Sequence, residues 1–250
     1  MKDVKAKKHL GQHFLNDQRI ALKITNLLSR ETKNIIEIGP GMGALTQFLK
    51  KGQHIIQGIE IDVESITFLK KRYPDLNIYH GDFLKLELKK EFPFNFSLIG
   101  NFPYNISSQI LFKVFENRDQ IPEVVGMFQK EVAERIVCKK GKKRGILSVF
   151  LQAFYDIEYC FTVHKDVFTP PPKVESGVIK LLRNKRKSLP VNENKFKRTI
   201  KAGFNQKRKT LRNALKSFTL INEKDIEDLL ALRAEQLSVD DFIQLTNHVK

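Results

Sequence analysis

Short apolar runs alternate with helical stretches along the first half of the chain. The apolar runs predict five strands, over residues 34–38, 54–59, 77–80, 96–99 and 123–128. The stretches around them predict helices over residues 17–29, 45–51, 63–72 and 107–116, and a charged helix from Glu131. We expect Asn16 or Asp17 to cap the first of these helices, and Ser107 or Ser108 to cap the fourth. Strands that alternate with helices indicate βαβ units and a parallel sheet.

The second half of the chain follows a different pattern. Residues 157–163 and 176–182 predict two strands with no helix between them, which is typical of an antiparallel addition at a sheet edge. Three successive prolines, Pro170 to Pro172, make the connection stiff and extended. After Leu182 the chain becomes polar and charged, and helical stretches follow over residues 196–218, 223–230 and 239–248.

These patterns together predict an α/β fold with two domains. The first, over residues 1–185, is expected to hold a mostly parallel sheet with an antiparallel edge strand. The second, over residues 186–250, is expected to be a small all-helical domain.

The positive charge of the chain is concentrated in three stretches. The formal net charge is +16, and residues 183–216, 139–144 and 1–9 contribute +12, +5 and +3. The rest of the chain is therefore mildly acidic. A polyanionic partner is the simplest explanation of such patches, because each neutralised phosphate releases counterions. The charge pattern favours a nucleic acid over a merely solvated surface.

Cysteine content and hydropathy narrow the possible classes of protein. The two cysteines, Cys138 and Cys160, form neither a CxxC pair nor a zinc-type spacing, so we expect no disulfide framework and no metal. No apolar run approaches the ~18 residues of a membrane span. The basic N-terminus lacks the apolar stretch of a secretory signal. We therefore expect a cytoplasmic protein with no membrane partner.

A glycine-rich turn, GPGMG at residues 39–43, follows the first predicted strand and precedes a helix. Gly39 and Gly41 let the backbone approach a ligand closely. Glu60 ends the second strand, where a carboxylate can accept hydrogen bonds from both hydroxyls of a ribose. Asp82 follows the third strand and can accept from an adenine amino group. The carboxyl edge of the sheet is thus predicted to bind a nucleoside cofactor, either NAD or S-adenosylmethionine.

The fourth predicted strand ends in the tetrapeptide NFPY, residues 101–104. An exocyclic adenine amine is a poor nucleophile because its lone pair is delocalised into the ring, so methyl transfer to it needs acceptors for both amine hydrogens. The side-chain oxygen of Asn101 and the carbonyl of Pro103 can provide these acceptors, and Tyr104 can stack on the base. A dehydrogenase has no use for this tetrapeptide, so it favours S-adenosylmethionine over NAD.

Longer motifs match a known family along almost the whole chain. They are HLGQHFLND (9–17), EIGPGMGALT (37–46), GIEID (58–62), GDFL (81–84), NFPYNISS (101–108), FQKEVAERI (128–136), FTPPPKVES (168–176), FNQKRKTLRNAL (204–215) and RAEQLS (233–238). In these motifs the chain resembles the KsgA (RsmA) family of ribosomal RNA adenine dimethyltransferases. Ordinary cofactor-binding folds lack FTPPPKVES and FNQKRKTLRN, which makes these two motifs the most specific.

The resemblance implies a fold, a reaction and a set of site residues. The fold is a seven-stranded Rossmann-like methyltransferase domain followed by a helical domain. The reaction transfers two methyl groups to N6 of each of two adjacent adenosines in the 3′-terminal hairpin of small-subunit (16S) rRNA, within an immature 30S particle, by a monomeric enzyme. The residues implied to contact S-adenosylmethionine are His13, Leu15, Gly39, Glu60, Asp82 and Asn101. Phe168 is implied to stack on the target base opposite Tyr104.

The C-terminal basic motif is predicted to contact rRNA. Lys207, Arg208, Lys209 and Arg212 lie within it, and phosphate contacts of this kind would position the enzyme while a single-stranded loop supplies the target.

The chain departs from the family pattern at two positions. His13 stands where the family usually has Asn, and an imidazole can still donate to a carboxylate. Phe102 replaces the usual Leu or Ile, for which we expect a packing change without loss of activity.

Two other functions remain open. A large-subunit (23S) adenine methyltransferase that confers antibiotic resistance would share the Asn-x-Pro-Tyr motif, although FNQKRKTLRN and RAEQLS favour the small-subunit enzyme. A non-catalytic RNA-binding assembly factor would share the basic patches, but the intact set of Glu60, Asp82, Asn101 and Tyr104 argues against lost chemistry.

Overall fold

The computed structural model describes residues 4–206 and 208–250 of the chain. Its strands are β1 (Phe14–Leu15), β2 (Asn34–Ile38), β3 (Ile55–Glu60), β4 (Asn77–His80), β5 (Ser97–Asn101), β6 (Glu123–Gln129), β7 (Tyr155–Val163), β8 (Phe168–Thr169) and β9 (Ser176–Arg183). Its α-helices are α1 (Gln18–Thr25), α2 (Thr46–Leu49), α3 (Val63–Arg72), α4 (Leu88–Glu91), α5 (Ser107–Glu116), α6 (Lys130–Val137), α7 (Ile146–Gln152), α8 (Glu193–Asn205), α9 (Leu211–Ala214), α10 (Glu227–Ala231) and α11 (Val239–Asn247). No helix in the described part of the chain is long and apolar enough to cross a membrane.

Seven strands form one sheet in the order β4-β3-β2-β5-β6-β9-β7. The strands β4, β3, β2, β5 and β6 are mutually parallel, and β9 runs antiparallel to β6. The central strands are apolar because helices cover both faces of a parallel sheet, and Leu98 and Ile99 of β5 are fully buried. The predicted α/β architecture and the implied seven-stranded sheet are confirmed.

The parallel order brings the carboxyl ends of β2, β3, β4 and β5 to one edge of the sheet. The predicted glycine turn, acidic residues and NFPY tetrapeptide all follow these strand ends, so the topology gathers them at this edge. The short strands β1 and β8 pair separately, with Phe14 opposite Thr169 and Leu15 opposite Phe168.

The ring of Phe102 packs on the sheet immediately after β5. Phe102 is fully buried and lies edge-on to Phe128, with ring centroids 5.1 Å apart. Gly100 of β5 and Gly126 of β6 are paired in the sheet, and a Cβ on either would lie 2.6 Å or 2.5 Å from the Phe102 ring. The two glycines therefore provide the space that this aromatic side chain occupies.

Helix capping agrees with the prediction at α1 and differs at α5. The Asp17 side chain accepts from the backbone N–H groups of Arg19 and Ile20, as an N-cap does. Helix α5 begins at Ser107, and its N-cap position is Ile106, with no side-chain cap. The predicted serine cap is wrong because the Ser107 hydroxyl donates backwards to the Tyr104 carbonyl at 3.2 Å.

The chain divides into two compact units. The first comprises Met1–Ala133 and Ile157–Arg183 and contains the cluster of strand ends. The second comprises Glu134–Asp156 and Asn184–Lys250. Residues 134–156, which the sequence analysis placed in the first domain, group with the second unit because α7 packs against α8 there.

The helices of the second unit enclose their own apolar core. Helix α8 packs against α9 and α11, and the rings of Phe204 and Phe242 stack with centroids 6.0 Å apart. The helix predicted over residues 196–218 is divided, since α8 ends at Asn205 and α9 begins after Thr210, which has the extended backbone of an N-cap. The interruption falls on the basic motif.

Candidate active site

A cavity of about 420 Å³ lies at the carboxyl edge of the sheet in the first unit. This volume is within the range of small-molecule sites. All seven residues predicted to bind the cofactor line it, namely His13, Leu15, Gly39, Gly41, Glu60, Asp82 and Asn101. Its opposite wall is the N-terminal segment of residues 9–16. The topology therefore brings together residues that are up to 88 positions apart in the sequence.

The glycine turn forms an open cradle on one side of the cavity. Gly39 and Gly41 have φ values of +62° and +56°, which side chains rarely adopt. A Cβ on Gly39 would meet nothing within 4 Å, so the space above this residue belongs to the cavity. A Cβ on Gly41 would lie 3.0 Å from the Phe14 ring. The first glycine thus keeps the cavity open, and the second allows the N-terminal segment to pass close by.

Glu60 is held in place by backbone donors. Its side chain accepts from the N–H groups of Gly41 at 3.0 Å and of Ile61 and Asp62 at 2.9 Å each. Burial raises the pKa of Glu60, and these hydrogen bonds oppose the rise. A carboxylate can accept about four hydrogen bonds, so one position remains for a ribose hydroxyl in this arrangement. Two hydroxyls would need the contact with Gly41 to loosen.

Glu37 is a second buried acid in the cavity wall that the sequence analysis did not single out. It is 2% exposed, and its carboxyl accepts from the Thr46 hydroxyl at 2.6 Å. Burial raises the pKa of Glu37 to about 7. A Glu two positions before the glycine turn, followed by a Thr nine positions later, was the available signal.

Asp82 lies in the cavity wall with one oxygen engaged. It caps a short 3-10 turn by accepting from the Leu84 N–H at 2.9 Å. Ile61, which was not predicted as a site residue, also lines the cavity and is 46% exposed. Ile61 follows Glu60 directly in the sequence, and its exposed apolar side chain offers a planar base a surface to pack on.

Asn101 has a defined amide orientation. Its Nδ2 donates to the carbonyl of His13 at 2.8 Å. Since a carbonyl can only accept, the nitrogen must face His13, and Oδ1 is left as a free acceptor in the cavity wall. This is the orientation that the predicted role of Asn101 requires.

Pro103 and Tyr104 also line the cavity, each with one contact already formed. The Pro103 carbonyl accepts from the Ile106 N–H at 3.2 Å, which leaves it one further lone pair. The Tyr104 hydroxyl lies 2.5 Å from the Ser176 hydroxyl, and burial raises the pKa of Tyr104. Its ring is stacked with that of His13, with centroids 5.5 Å apart.

Phe168 is not in the cavity wall. It is 2% exposed and belongs to an apolar cluster with Leu15 and Val163. It is also the cross-strand partner of Leu15. The ring would have to leave this cluster before it could stack on a base.

The His13 side chain connects the N-terminal segment to the proline-rich connection. Its Nδ1 lies 2.7 Å from the Pro170 carbonyl, so this nitrogen carries a proton and donates. The neighbouring Asn16 side chain donates to the Thr169 hydroxyl at 2.6 Å. Leu15 is buried between these contacts at 6% exposure.

Three of the four predicted RNA-binding residues, Arg208, Lys209 and Arg212, lie in the described part of the second unit. Arg208, Lys209 and Arg212 are exposed, while Lys207 lies outside the described residues. Arg212 is already paired with Glu223 at 3.2 Å and Glu227 at 3.7 Å.

The fold and the cavity define the class of the protein, a Rossmann-like S-adenosylmethionine-dependent methyltransferase. A family model described as ribosomal RNA adenine dimethylase matches residues 3–250. The chain belongs to this family.

Individual proteins resemble the chain over nearly its whole length. It is 59% identical to ribosomal RNA small subunit methyltransferase A of Cytophaga hutchinsonii, with 99% of this chain and 98% of that protein covered. Among solved structures, a dimethyladenosine transferase from Plasmodium falciparum is 27% identical with a TM-score of 0.80, covering 95% of this chain and 99% of that one. The 23S rRNA methyltransferase ErmE shares the fold at 21% identity and a TM-score of 0.76, covering 94% and 99%.

Proposed function

We propose that the chain dimethylates N6 of two adjacent adenosines in the 3′-terminal hairpin of small-subunit rRNA, acting on an immature 30S particle. The observation that carries the proposal is the orientation of Asn101, which leaves an acceptor oxygen at the wall of a cofactor-sized cavity. The 59% identical relative, whose name specifies the small subunit, supports this choice of substrate. The large-subunit alternative has the expected Asn-x-Pro-Tyr motif and a shared fold in its favour, and neither distinguishes the two substrates.

The residues of the cavity fit S-adenosylmethionine. The open space above Gly39 accepts a ligand, Glu60 and Asp82 present acceptors for a ribose and an adenine amine, and Ile61 offers an apolar surface. When bound, the cofactor supplies a methyl group already activated as a sulfonium.

The chain's own contribution is to position the target amine. In the first transfer, Asn101 Oδ1 accepts one N6 hydrogen and the remaining lone pair of the Pro103 carbonyl accepts the other, so that the nitrogen lone pair points away from both. As each methyl group bonds to N6 its bond to sulfur breaks, and the methylated amine then releases one proton to water. The second transfer therefore starts from an amine with one hydrogen, which needs only one of the two acceptors. Tyr104 stacks on the extruded base, which requires the base to displace His13 or to use the opposite face of the ring. Phe168 joins the stack only after leaving its apolar cluster.

The second unit contributes phosphate contacts. The exposed cations Arg208 and Lys209 are available for the rRNA backbone, and the sequence motif adds Lys207 and Arg212 to the proposed phosphate contacts. Binding through this surface predicts strong salt dependence. A monomer in the cytoplasm, where immature subunits are found, is consistent with this function.

The test is methyl incorporation from labelled S-adenosylmethionine into small subunits of a strain that lacks the enzyme. We expect two dimethyladenosines by mass mapping, and a rate roughly 10²–10³-fold lower for Asn101→Ala. The matched control is Asn77→Ala, an exposed asparagine on β4. Wild-type activity in Asn101→Ala would refute the catalytic assignment. Methylation of isolated large subunits alone would favour the antibiotic-resistance function, and failure to bind S-adenosylmethionine in calorimetry would favour an assembly factor without catalysis.

A further inference from the structure

Asp62 is a buried carboxylate beside the cavity that the proposed chemistry does not use. Its side chain is 1% exposed. It accepts from the Ser65 hydroxyl at 2.8 Å and caps α3 through the Glu64 N–H at 3.3 Å. Its own N–H donates to Glu60 at 2.9 Å. Asp62 is therefore fixed firmly to the same strand end as the ribose-binding acid.

The side chains of Lys7 and Gln12, near the N-terminus, both contact this carboxylate. Lys7 Nζ pairs with Oδ1, and Gln12 Nε2 donates to Oδ2 at 3.3 Å. The Lys7 N–H also donates to the Gln12 side-chain oxygen at 2.8 Å, which closes residues 7–12 into a loop. Burial opposes ionisation of Asp62, but the hydrogen bonds from Lys7, Ser65 and Gln12 outweigh it and lower the pKa of Asp62.

Residues 7–16, which we call the strap, cross the cavity between two anchors. The far anchor combines backbone contacts, namely the pairing of β1 with β8 and the Asn16 N–H on the Val167 carbonyl at 2.8 Å, with the side-chain bonds of His13 and Asn16 to the proline-rich connection. It also includes the bond from Asn101 to the His13 carbonyl, so opening this end would disturb the catalytic amide. The near anchor consists of the Lys7 and Gln12 side chains on Asp62 and a second ion pair from Lys7 to Glu64 at 3.2 Å, and the Lys7 side chain is 28% exposed. The near anchor can therefore open while the catalytic amide keeps its place.

We propose that Asp62 is a positioning residue that latches the strap over the cofactor cavity, and that this latch slows the departure of the bound cofactor. The inference rests on the proposed function, because the cavity must hold S-adenosylmethionine. The latch acts through the cavity wall of residues 9–12 and leaves Asn101 untouched. Losing one partner of a largely buried charge pair mainly increases the dissociation rate.

The test measures dissociation of S-adenosylmethionine and S-adenosylhomocysteine from the full-length protein by stopped-flow competition. Lys7→Met keeps the length of the side chain and removes its charge. We expect it to raise both dissociation rates and the KM for S-adenosylmethionine about tenfold, which corresponds to about 1.4 kcal/mol, with the single-turnover methyl-transfer rate unchanged. Lys7→Arg is expected to restore wild-type values. Asp75→Asn, which breaks the exposed Lys50–Asp75 pair, is the matched control with no expected effect.

Asp62→Asn provides a second, independent perturbation. Combined with Lys7→Met it is expected to add little to the dissociation rate, because both variants open the same latch. Should Asp62→Asn fail to fold, Lys7→Met alone decides the question. Wild-type dissociation rates in Lys7→Met would overturn the proposal, as would a fall in single-turnover rate with KM unchanged. Neither result touches the proposed function, which fails only if the wild-type protein does not bind cofactor or does not methylate small subunits.

Discussion

Glu37 makes the stability of the protein depend on pH near neutrality. Its carboxyl is 2% exposed, and burial raises its pKa from an ordinary 4.5 to about 7. Between these two values the unfolded chain releases the Glu37 proton while the folded protein keeps it. The free energy of unfolding therefore falls as pH rises through this window, and the loss levels off above pH 7.

The magnitude follows from the difference between the two pKa values. One pKa unit corresponds to 1.36 kcal/mol, so the folded protein loses roughly 3 kcal/mol from this group between about pH 4.5 and 7. Glu37→Gln removes the titration and keeps an oxygen for the Thr46 hydroxyl, which donates at 2.6 Å in the wild type. Relative to the wild type, the variant is expected to gain roughly 3 kcal/mol of stability as pH rises from 5 to 8.

Urea unfolding followed by circular dichroism at pH 5, 6, 7 and 8 measures this difference. Comparing the two proteins at each pH cancels the titration of groups that do not interact with Glu37, and Glu60, whose charge contributes to raising the pKa of Glu37, is the coupled neighbour. Glu31→Gln, which changes an exposed carboxylate, is the matched control. A difference between Glu37→Gln and the wild type that is the same at pH 5 and pH 8 would show that Glu37 titrates normally in the folded protein.

Two further predictions concern the buried ion pair of Glu123 with Lys180 and the glycine turn that lines the cavity. Buried Glu123 accepts from Ser29 at 2.7 Å and pairs with Lys180 at 2.9 Å; burial opposes its ionisation, but these contacts outweigh it and lower its pKa. Glu123→Gln should lower the free energy of unfolding by about 3 kcal/mol at pH 7. In urea titrations the difference in unfolding free energy between variant and wild type should narrow as pH falls below 4.5, and a difference that stays constant would contradict this. Gly39→Ala should weaken S-adenosylmethionine binding in calorimetry and cost about 1–2 kcal/mol of stability, while Gly141→Ala, also at positive φ with open space around it, should cost stability alone. Equal affinities of the two variants for S-adenosylmethionine would refute the claim that the cofactor occupies the space above Gly39.

The parallel sheet was predictable because each strand is a short apolar run bounded by a clear turn. The boundaries of β2, β4 and β6 agree with the predicted ranges to within a residue. The pairing of β1 with β8 was not predictable, since two residues carry no periodicity and their partners lie about 150 positions away. The break between α8 and α9 was missed because its residues are compatible with a helix, and only the cap geometry at Thr210 reveals it.

The lining of the cavity was largely predictable, because strand order alone places the ends of β2 to β5 together. The burial, the ionisation and the packing of individual side chains could not be predicted from the sequence. That Phe168 is buried, that Glu37 has a raised pKa and that His13 covers Tyr104 all depend on side-chain packing between distant segments. Asp62 was likewise unremarkable in the sequence, because an aspartate before a helix is usually only a cap.

The fit of Phe102 over Gly100 and Gly126 links a variable motif position to the sheet beneath it. A Cβ at Gly100 would lie 2.7 Å from the Ile38 carbonyl as well as against the Phe102 ring, and a Cβ at Gly126 would lie 2.6 Å from the Phe128 ring, so a smaller residue at 102 does not by itself make room for alanine. The sheet itself therefore requires both glycines, and a tetrapeptide with leucine in place of Phe102 would leave unfilled volume above them.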